Sequence, residues 1–223
     1  NIQTTALALA DAALMGARGN SGIIFAQFLY GFSKDIKDKA TMNINEFAGY
    51  MRNASECAYY ALAKPKEGTI ISVIKDWSNF LCENCDTTDD LTTLLLNALA
   101  VAMESLKGTG KFIAAKAKTF VDAGAKGFVV FLEGMCEYFH SGEKTIQVAN
   151  AEIADTEWMG EDNHEDITFR YCTEALLIGE DLDRNKLSSL IEMMGDCLVI
   201  AGSPRKMRLH IHTDQPWIVL EKV

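Results

Sequence analysis

The feature that most constrains this chain is a change of rhythm near His140. Up to that point apolar residues recur at helical spacing almost without interruption. Beyond it they give way to an acidic stretch and then to short runs typical of strands. The expected architecture is therefore multi-domain, with an all-α part followed by a small α+β part. Helices are expected over 2–15, 22–36, 45–63, 69–82, 90–107, 111–119 and 124–140. In the fifth, Leu94, Leu95, Ala98, Val101, Ala102 and Leu106 share one face. Asn45 and Glu46 open the third as a cap. Only three prolines interrupt 223 residues, which favours long regular elements. Short glycine-bearing connections make successive helices antiparallel neighbours, hence an up-and-down bundle.

Residues 141–166 are polar and acidic, with Glu152, Asp155, Glu157, Glu161, Asp162, Glu165 and Asp166 in no spaced pair. They read as a linker, which divides the chain into 1–143, 144–166 and 167–223. The last part is expected to contain a strand over 168–178, a helix over 183–197, strands over 198–201 and 207–213, and a helix from 216 to 223. The turn Gly202-Ser203-Pro204-Arg205 joins the last two strands. This β-α-β-β-α order begins a ferredoxin-like α+β sandwich.

Composition narrows the function. A net charge of -10 argues against nucleic acid and against anionic membrane surfaces. No run of 18 apolar residues exists, so no transmembrane segment is expected. No signal peptide precedes the first helix, and six cysteines are too few for a disulfide scaffold of this length, so reduced thiols and a cytoplasmic location are expected.

Four segments carry chemistry. Gly16-Ala17-Arg18-Gly19-Asn20-Ser21-Gly22 is a glycine-rich elbow opening onto an apolar helix. Flexible backbone before a helix start, with its unpartnered amides and positive dipole end, supplies the ingredients of a phosphate cradle. A plain connection between helices uses the same residues, and no Walker-type Gly-Lys-Ser/Thr follows. Lys64-Pro65-Lys66-Glu67-Gly68-Thr69-Ile70 is a second tight turn, with Thr69 placed to cap a helix or to meet a ligand. Val121-Asp122-Ala123-Gly124-Ala125-Lys126-Gly127 is a third helix entrance, stripped of large side chains as a close backbone or ligand would require. Finally, His210 and His212 stand two apart on a strand and so share a face, with Cys172 on another strand. Two imidazoles and a thiol suit Zn²⁺; paired surface histidines are the alternative. The Cys82-x-x-Cys85 pair lacks a second such pair and sits at a helix end, so it is read as incidental. Trp77, Trp158 and Trp217 are read as packing residues.

Taken in order and spacing, the elbow, Glu67-Gly68-Thr69-Ile70 and Val121-Asp122-Ala123-Gly124 resemble the DhaL-like kinase domain. That domain is the nucleotide-binding part of dihydroxyacetone kinase and of the bacterial fatty-acid kinase. Tyr171-Cys172-Thr173-Glu174 and His210-Ile211-His212-Thr213 resemble the middle domain of the fatty-acid kinase. Asp122-Ala123-Gly124-Ala125-Lys126-Gly127-Phe128 is also similar to relatives fused to a DegV domain. The resemblance implies a helical barrel holding ATP or ADP with Mg²⁺ at one end. Asn20, Ser21 and Gly22 would lie against the phosphates, Thr69 and Ile70 would touch the nucleotide, and Asp122, Ala123 and Gly124 would close over it. Cys172, His210 and His212 would hold a structural zinc, remote from the nucleotide. The family binds Mg²⁺ through an upstream motif of the form D-G-D-T-G-x-N, which this sequence lacks; Asp11 stands alone. The helical domain is therefore expected to be N-terminally truncated, without its first helix, and as it stands to bind nucleotide weakly and transfer phosphate poorly.

The function implied is a fragment of an ATP-dependent phosphotransferase that converts a fatty acid, carried by a DegV-type partner, to an acyl phosphate, with a homodimer expected. Competing readings are a small-ketose kinase of the dihydroxyacetone type, against which the α+β part argues, and a non-catalytic zinc-containing assembly module.

Overall fold

The structure is a computed structural model that describes residues 1–37, 39–113, 121–142 and 168–223. Six helices come first: α1 (Ile2–Gly16), α2 (Gly19–Lys34), α3 (Ile44–Tyr60), α4 (Ile70–Asn84), α5 (Leu91–Ile113) and α6 (Ala123–Ser141). Each packs on the next, as an up-and-down bundle requires, and α2 also touches α6. Local signals fix the starts. Asn43, two residues before the expected cap, accepts from the Glu46 amide while Glu46 reaches back, a reciprocal capping box on α3. Asp90 caps α5 by accepting from the amides of Thr92 and Thr93. Among the described residues, no helix is long and apolar enough to cross a membrane.

The bundle core holds an aromatic cluster. Phe28, Trp77 and Phe128 are buried and meet edge to face, with the Phe28 and Phe128 centroids 5.4 Å apart. Gly31 lets α2 and α3 approach, because a Cβ there would lie 2.6 Å from Cys57 Cβ and 2.8 Å from Ala54 Cα.

After the bundle come β1 (Tyr171–Ile178), α7 (Arg184–Ile191), a 3-10 turn (Glu192–Met194), β2 (Asp196–Ser203), β3 (Lys206–Thr213) and α8 (Pro216–Lys222). The sheet has the order β1-β3-β2 with both pairings antiparallel, so β1 and β2 run parallel on either side of β3. That is the split β-α-β arrangement of the expected ferredoxin-like sandwich. Strand alternation sorts the two faces. Leu198, Ile200, Met207, Leu209 and Ile211 point toward α7 and α8, where Leu187, Ile191 and Val219 complete a small core. The other face turns toward the bundle: Val199 and Ala201 are fully buried in the bundle's own core. Leu62 bridges to Val199 by main-chain pairing, and Gly202 N–H donates to Gln27 Oε1 at 2.6 Å.

Two expectations differ. The helix expected to stop at 107 and restart at 111 is one continuous α5 to Ile113, and residues 114–120 lie outside the described residues. Glycine lowers helix propensity without forbidding helix, and the buried Thr109 hydroxyl donates back to Leu106 O, keeping the turn closed. The helix expected over 183–197 ends at Ile191, and Asp196 and Cys197 belong to β2. A 3-10 turn, Glu192–Met194, follows the helix, and Gly195 brings the chain against β3, where a Cβ would lie 1.8 Å from the His212 carbonyl oxygen. The expected 144–166 linker lies outside the described residues.

Candidate functional site

Up-and-down topology places the α1–α2, α3–α4 and α5–α6 connections at one end of the bundle, and these carry the three glycine-bearing corners. The structure brings them into contact. A Cβ on Gly124 would fall 2.1 Å from Ser21 Oγ and 2.6 Å from Ser21 Cβ, so the α6 entrance rests directly on the elbow. Asp122 Oδ1 accepts from the Ala125 amide of its own helix at 2.7 Å and from the Ile70 amide at 3.1 Å. One carboxylate thus caps both α6 and α4, where its charge is favoured by two helix N-termini. Its own amide donates to Thr109 Oγ1 at 2.9 Å, which fixes it from behind.

The individual residues divide. Asn20, Ser21 and Gly22 form the first turn of α2; Gly22 packs on Ala17, and Asn20 Oδ1 is buried with no partner among the described residues. Thr69 occupies the N-cap position of α4, yet its hydroxyl donates to Lys66 O, and Asp122 supplies the cap instead. The Ile70 side chain lies in the core, so only its backbone belongs to this surface. Ala123 is exposed and Gly124 is half-buried at the entrance of α6. Asp11 is engaged elsewhere, 2.5 Å from Lys206 Nζ. A separate cavity of about 750 Å³ lies at the opposite end of the bundle, lined by Ile2, Phe32, Asn43, Asp86 and Phe139 among others.

Sequence reasoning missed what holds the elbow in place. Gly19, at φ +60 where glycine is favoured, opens α2, and its preceding cap residue Arg18 makes no side-chain cap. The cap comes from the sheet: Glu174 Oε1 accepts from the Gly19 amide at 2.7 Å. Glu174 Oε2 pairs with Arg208 Nη2 at 3.1 Å, and Arg208 Nη1 donates to Leu14 O and Met15 O at the C-terminal end of α1. The carboxylate therefore meets the positive end of α2 and the guanidinium meets the negative end of α1, while the two neutralise each other. Burial opposes ionisation of Glu174, but the Gly19 amide, Arg208 and His210 outweigh it and hold the carboxyl below its ordinary value. Alternation could have flagged both residues, since Glu174 shares a face with Cys172 and Arg208 shares one with His210.

The same face carries the expected metal triad. Cys172 and Asp196 lie opposite His212 on its two sides, and Glu174 lies opposite His210. Cys172, His210 and His212 offer ligand atoms all within 4.8 Å of one another; His210 is buried and Cys172 is exposed. Cys172 Sγ is 3.7 Å from Nδ1 and 3.9 Å from Nε2 of His210. Each imidazole has a carboxylate partner at Nδ1: Glu174 for His210 and Asp196 for His212, both at 3.3 Å. Such carboxylates orient the ring and leave Nε2 for an ion. Burial lowers the His210 pKa more than the Glu174 hydrogen bond raises it, so the ring is held neutral, as a ligand must be. A thiol and two oriented imidazoles fit the donor preference of zinc. The triad is linked to the elbow, because Glu174 touches both His210 and Gly19. A second set, Asp196, Cys197 and His212, shares His212 with the first. It is invisible in the sequence, where the expected helix runs through 196 and 197.

Comparison with known proteins agrees with this division. Residues 1–137 match the DAK2 domain family. Residues 168–223 match the family of FakA-like middle domains of fatty acid kinase. An uncharacterized protein of Staphylococcus epidermidis (strain ATCC 35984) is 34% identical over 216 residues, covering 91% of this chain and 39% of its own length. An uncharacterized protein of Staphylococcus aureus (strain USA300) is 33% identical over 215 residues with the same coverage. The chain thus spans about two fifths of the length of these relatives. With its helical bundle, its corner site and its β-α-β-β-α sheet accounted for, the chain belongs to the DAK2 domain family and carries a FakA-like middle domain of the fatty acid kinase type.

Proposed function

We propose that this chain is the nucleotide-binding and zinc-binding portion of an ATP-dependent kinase. The substrate would be a fatty acid carboxylate, presented by a DegV-type binding partner and converted to an acyl phosphate; the working unit would be a homodimer. The observation that carries this reading is the convergence of the three corners, with Gly124 seated on Ser21 and Asp122 tying α6 to α4.

Phosphoryl transfer depends on positioning and charge neutralisation more than on covalent help from the protein. Bound Mg²⁺–ATP would supply the transferable phosphoryl group. Amides of Asn20, Ser21 and Gly22, at the positive end of α2, would orient the phosphates, with the Ser21 hydroxyl beside them. Thr69 and the backbone at Ile70 would border the nucleotide, and Ala123 and Gly124 would cover it without side chains that obstruct. Asp122 acts as a brace between two of the corners. Cys172, His210 and His212 would hold zinc, which would fix the sheet end against the elbow through Glu174.

The test is nucleotide-dependent stabilisation of the chain, with and without Mg²⁺. At a nucleotide concentration 100-fold above Kd the expected gain is about 2.7 kcal/mol. Gly124→Ala, which forces α6 away from Ser21, should abolish the gain while leaving helical content intact. Absence of any stabilisation in the unaltered chain, or an equal gain in Gly124→Ala, refutes the corner site.

A further inference from the structure

We propose that the cavity of about 750 Å³ at the far end of the bundle is a binding site for an amphiphilic cation, a ligand with an apolar body and an ammonium head. The site is separate from the three corners and does not depend on the kinase reading.

Topology builds the wall. Phe32 comes from α2, Ile44 and Phe47 from α3, Leu91 from α5 and Phe139 from α6. The first four are half-buried, and Phe139 is 43% exposed. Large apolar side chains that converge on a concavity and stay partly in water mark a ligand surface rather than a finished core. The volume also falls within the roughly 300–1,000 Å³ of small-molecule sites.

Charge then selects the head group. The polar part of the lining is Asn43, Asn45, Asp86, Thr88 and Asp89, and no Lys, Arg or His stands among the lining residues. Asp86 Oδ1 accepts from Asn45 Nδ2 at 2.7 Å, and among the described residues neither Asp86 nor Asp89 has a cationic partner. Lys39, on the α2–α3 connection, is already paired with Glu46. Helix α4 ends at this mouth with no basic residue in its last turn, so the negative end of its dipole adds to the two carboxylates. The helix N-termini at the same end, which would draw an anion, carry side-chain caps from Asn1, Asn43 and Asp90. An ammonium at the rim faces Asp86 and Asp89 while its apolar body lies along Phe32, Phe47 and Phe139. A fatty carboxylate has a suitable body but the wrong sign of charge, so this cavity is not a second seat for the substrate proposed above.

A pair of probes with the same body and opposite charge tests this: phenylbutylamine and phenylbutyrate, titrated into the whole chain at neutral pH by calorimetry. The amine should bind at least about tenfold more tightly than the acid, and added salt should weaken it. Location is read from Cys85, whose side chain lines the cavity. Saturating amine should slow its alkylation by iodoacetamide several-fold, followed by peptide mass spectrometry, and leave the exposed Cys172 unchanged. The double variant Asp86→Asn, Asp89→Asn alters two exposed side chains and leaves the Asp90 cap in place, so it should fold. It is expected to bind the amine about tenfold more weakly and to lose the preference over the acid. Equal or tighter binding of phenylbutyrate overturns the cationic assignment, as does unchanged amine binding in the double variant. Binding without protection of Cys85 overturns the location, and no binding of the amine up to about 10 mM overturns the site altogether.

Discussion

Replacing Glu174 with alanine should cost the fold about 3 kcal/mol, and the structure shows why. The carboxylate makes three contacts: the Gly19 amide at 2.7 Å, Arg208 Nη2 at 3.1 Å and His210 Nδ1 at 3.3 Å. Side-chain exposure is 19% for Glu174 and 11% for Arg208, so the pair is mostly withdrawn from water. Breaking a buried pair by removing one partner costs about 3–5 kcal/mol, because the other charge stays behind. Two features pull the figure to the lower end. Residual exposure screens the pair, and Arg208 keeps the carbonyls of Leu14 and Met15. At about 2–4 °C per kcal/mol for a chain of this size, Tm should fall by about 6–12 °C. Glu174→Gln preserves an acceptor for Gly19 but turns an amide donor toward Arg208, and should lose about half as much. Lys206→Ala, which removes the more exposed bridge to Asp11, should cost less than about 1 kcal/mol. The assay is urea and thermal unfolding of the three variants, with Arg208→Met added to close a double-mutant cycle. A loss below about 0.5 kcal/mol in Glu174→Ala, or strict additivity with Arg208→Met, would mean that the clamp does not hold the elbow.

Three further outcomes are expected. Gly31→Ala should cost about 1–3 kcal/mol, since its methyl would collide with Ala54 and Cys57 across the α2–α3 contact. Gly134→Ala in α6, where nothing lies within 4 Å, should instead stabilise by up to about 1 kcal/mol; chemical denaturation of both reads the opposite signs. The third concerns pH. The Thr93 hydroxyl, followed by the amides of Thr92 and Thr93, holds the Asp90 carboxyl below its ordinary 3.8. The stabilisation is therefore present above that value and is lost as pH falls through the depressed folded value. Amide exchange at Thr92 and Thr93, corrected for intrinsic rates, should accelerate on acidification below about pH 3.8, and Asp90→Asn should remove that dependence.

Much of this arrangement is legible in the chain itself. Local rules suffice to place α1 to α4 and α6, because the spacing of apolar residues is a property of a short window, and for α1, α3 and α6 the caps are local too. The three corners and the Cys172, His210, His212 set are also legible, since glycine clusters and alternate histidines are local patterns. The clamp is not, because Glu174 and Arg208 act on Gly19 and Leu14 from more than 150 positions away. No window contains both partners. Asp122 caps its own helix, a local feature, but its bond to Ile70 crosses 52 positions and belongs to packing. Cys197 escapes for a different reason. The apolar run that marks α7 continues in phase past Ile191, while the chain passes into a 3-10 turn and then, at Gly195, into close approach to His212.

Val199 and Ala201 fill part of the core beside α2, and both are made about 60 residues after Ser141. At synthesis rates of about 5–20 residues per second, the helices emerge roughly 3–12 s before their last packing partners. For that interval the nascent bundle shows a greasy flank that only the chain's own later strand can cover. A ribosome that stalls in between would release a polypeptide ready to stick to its neighbours, which makes this span a natural point for chaperone engagement.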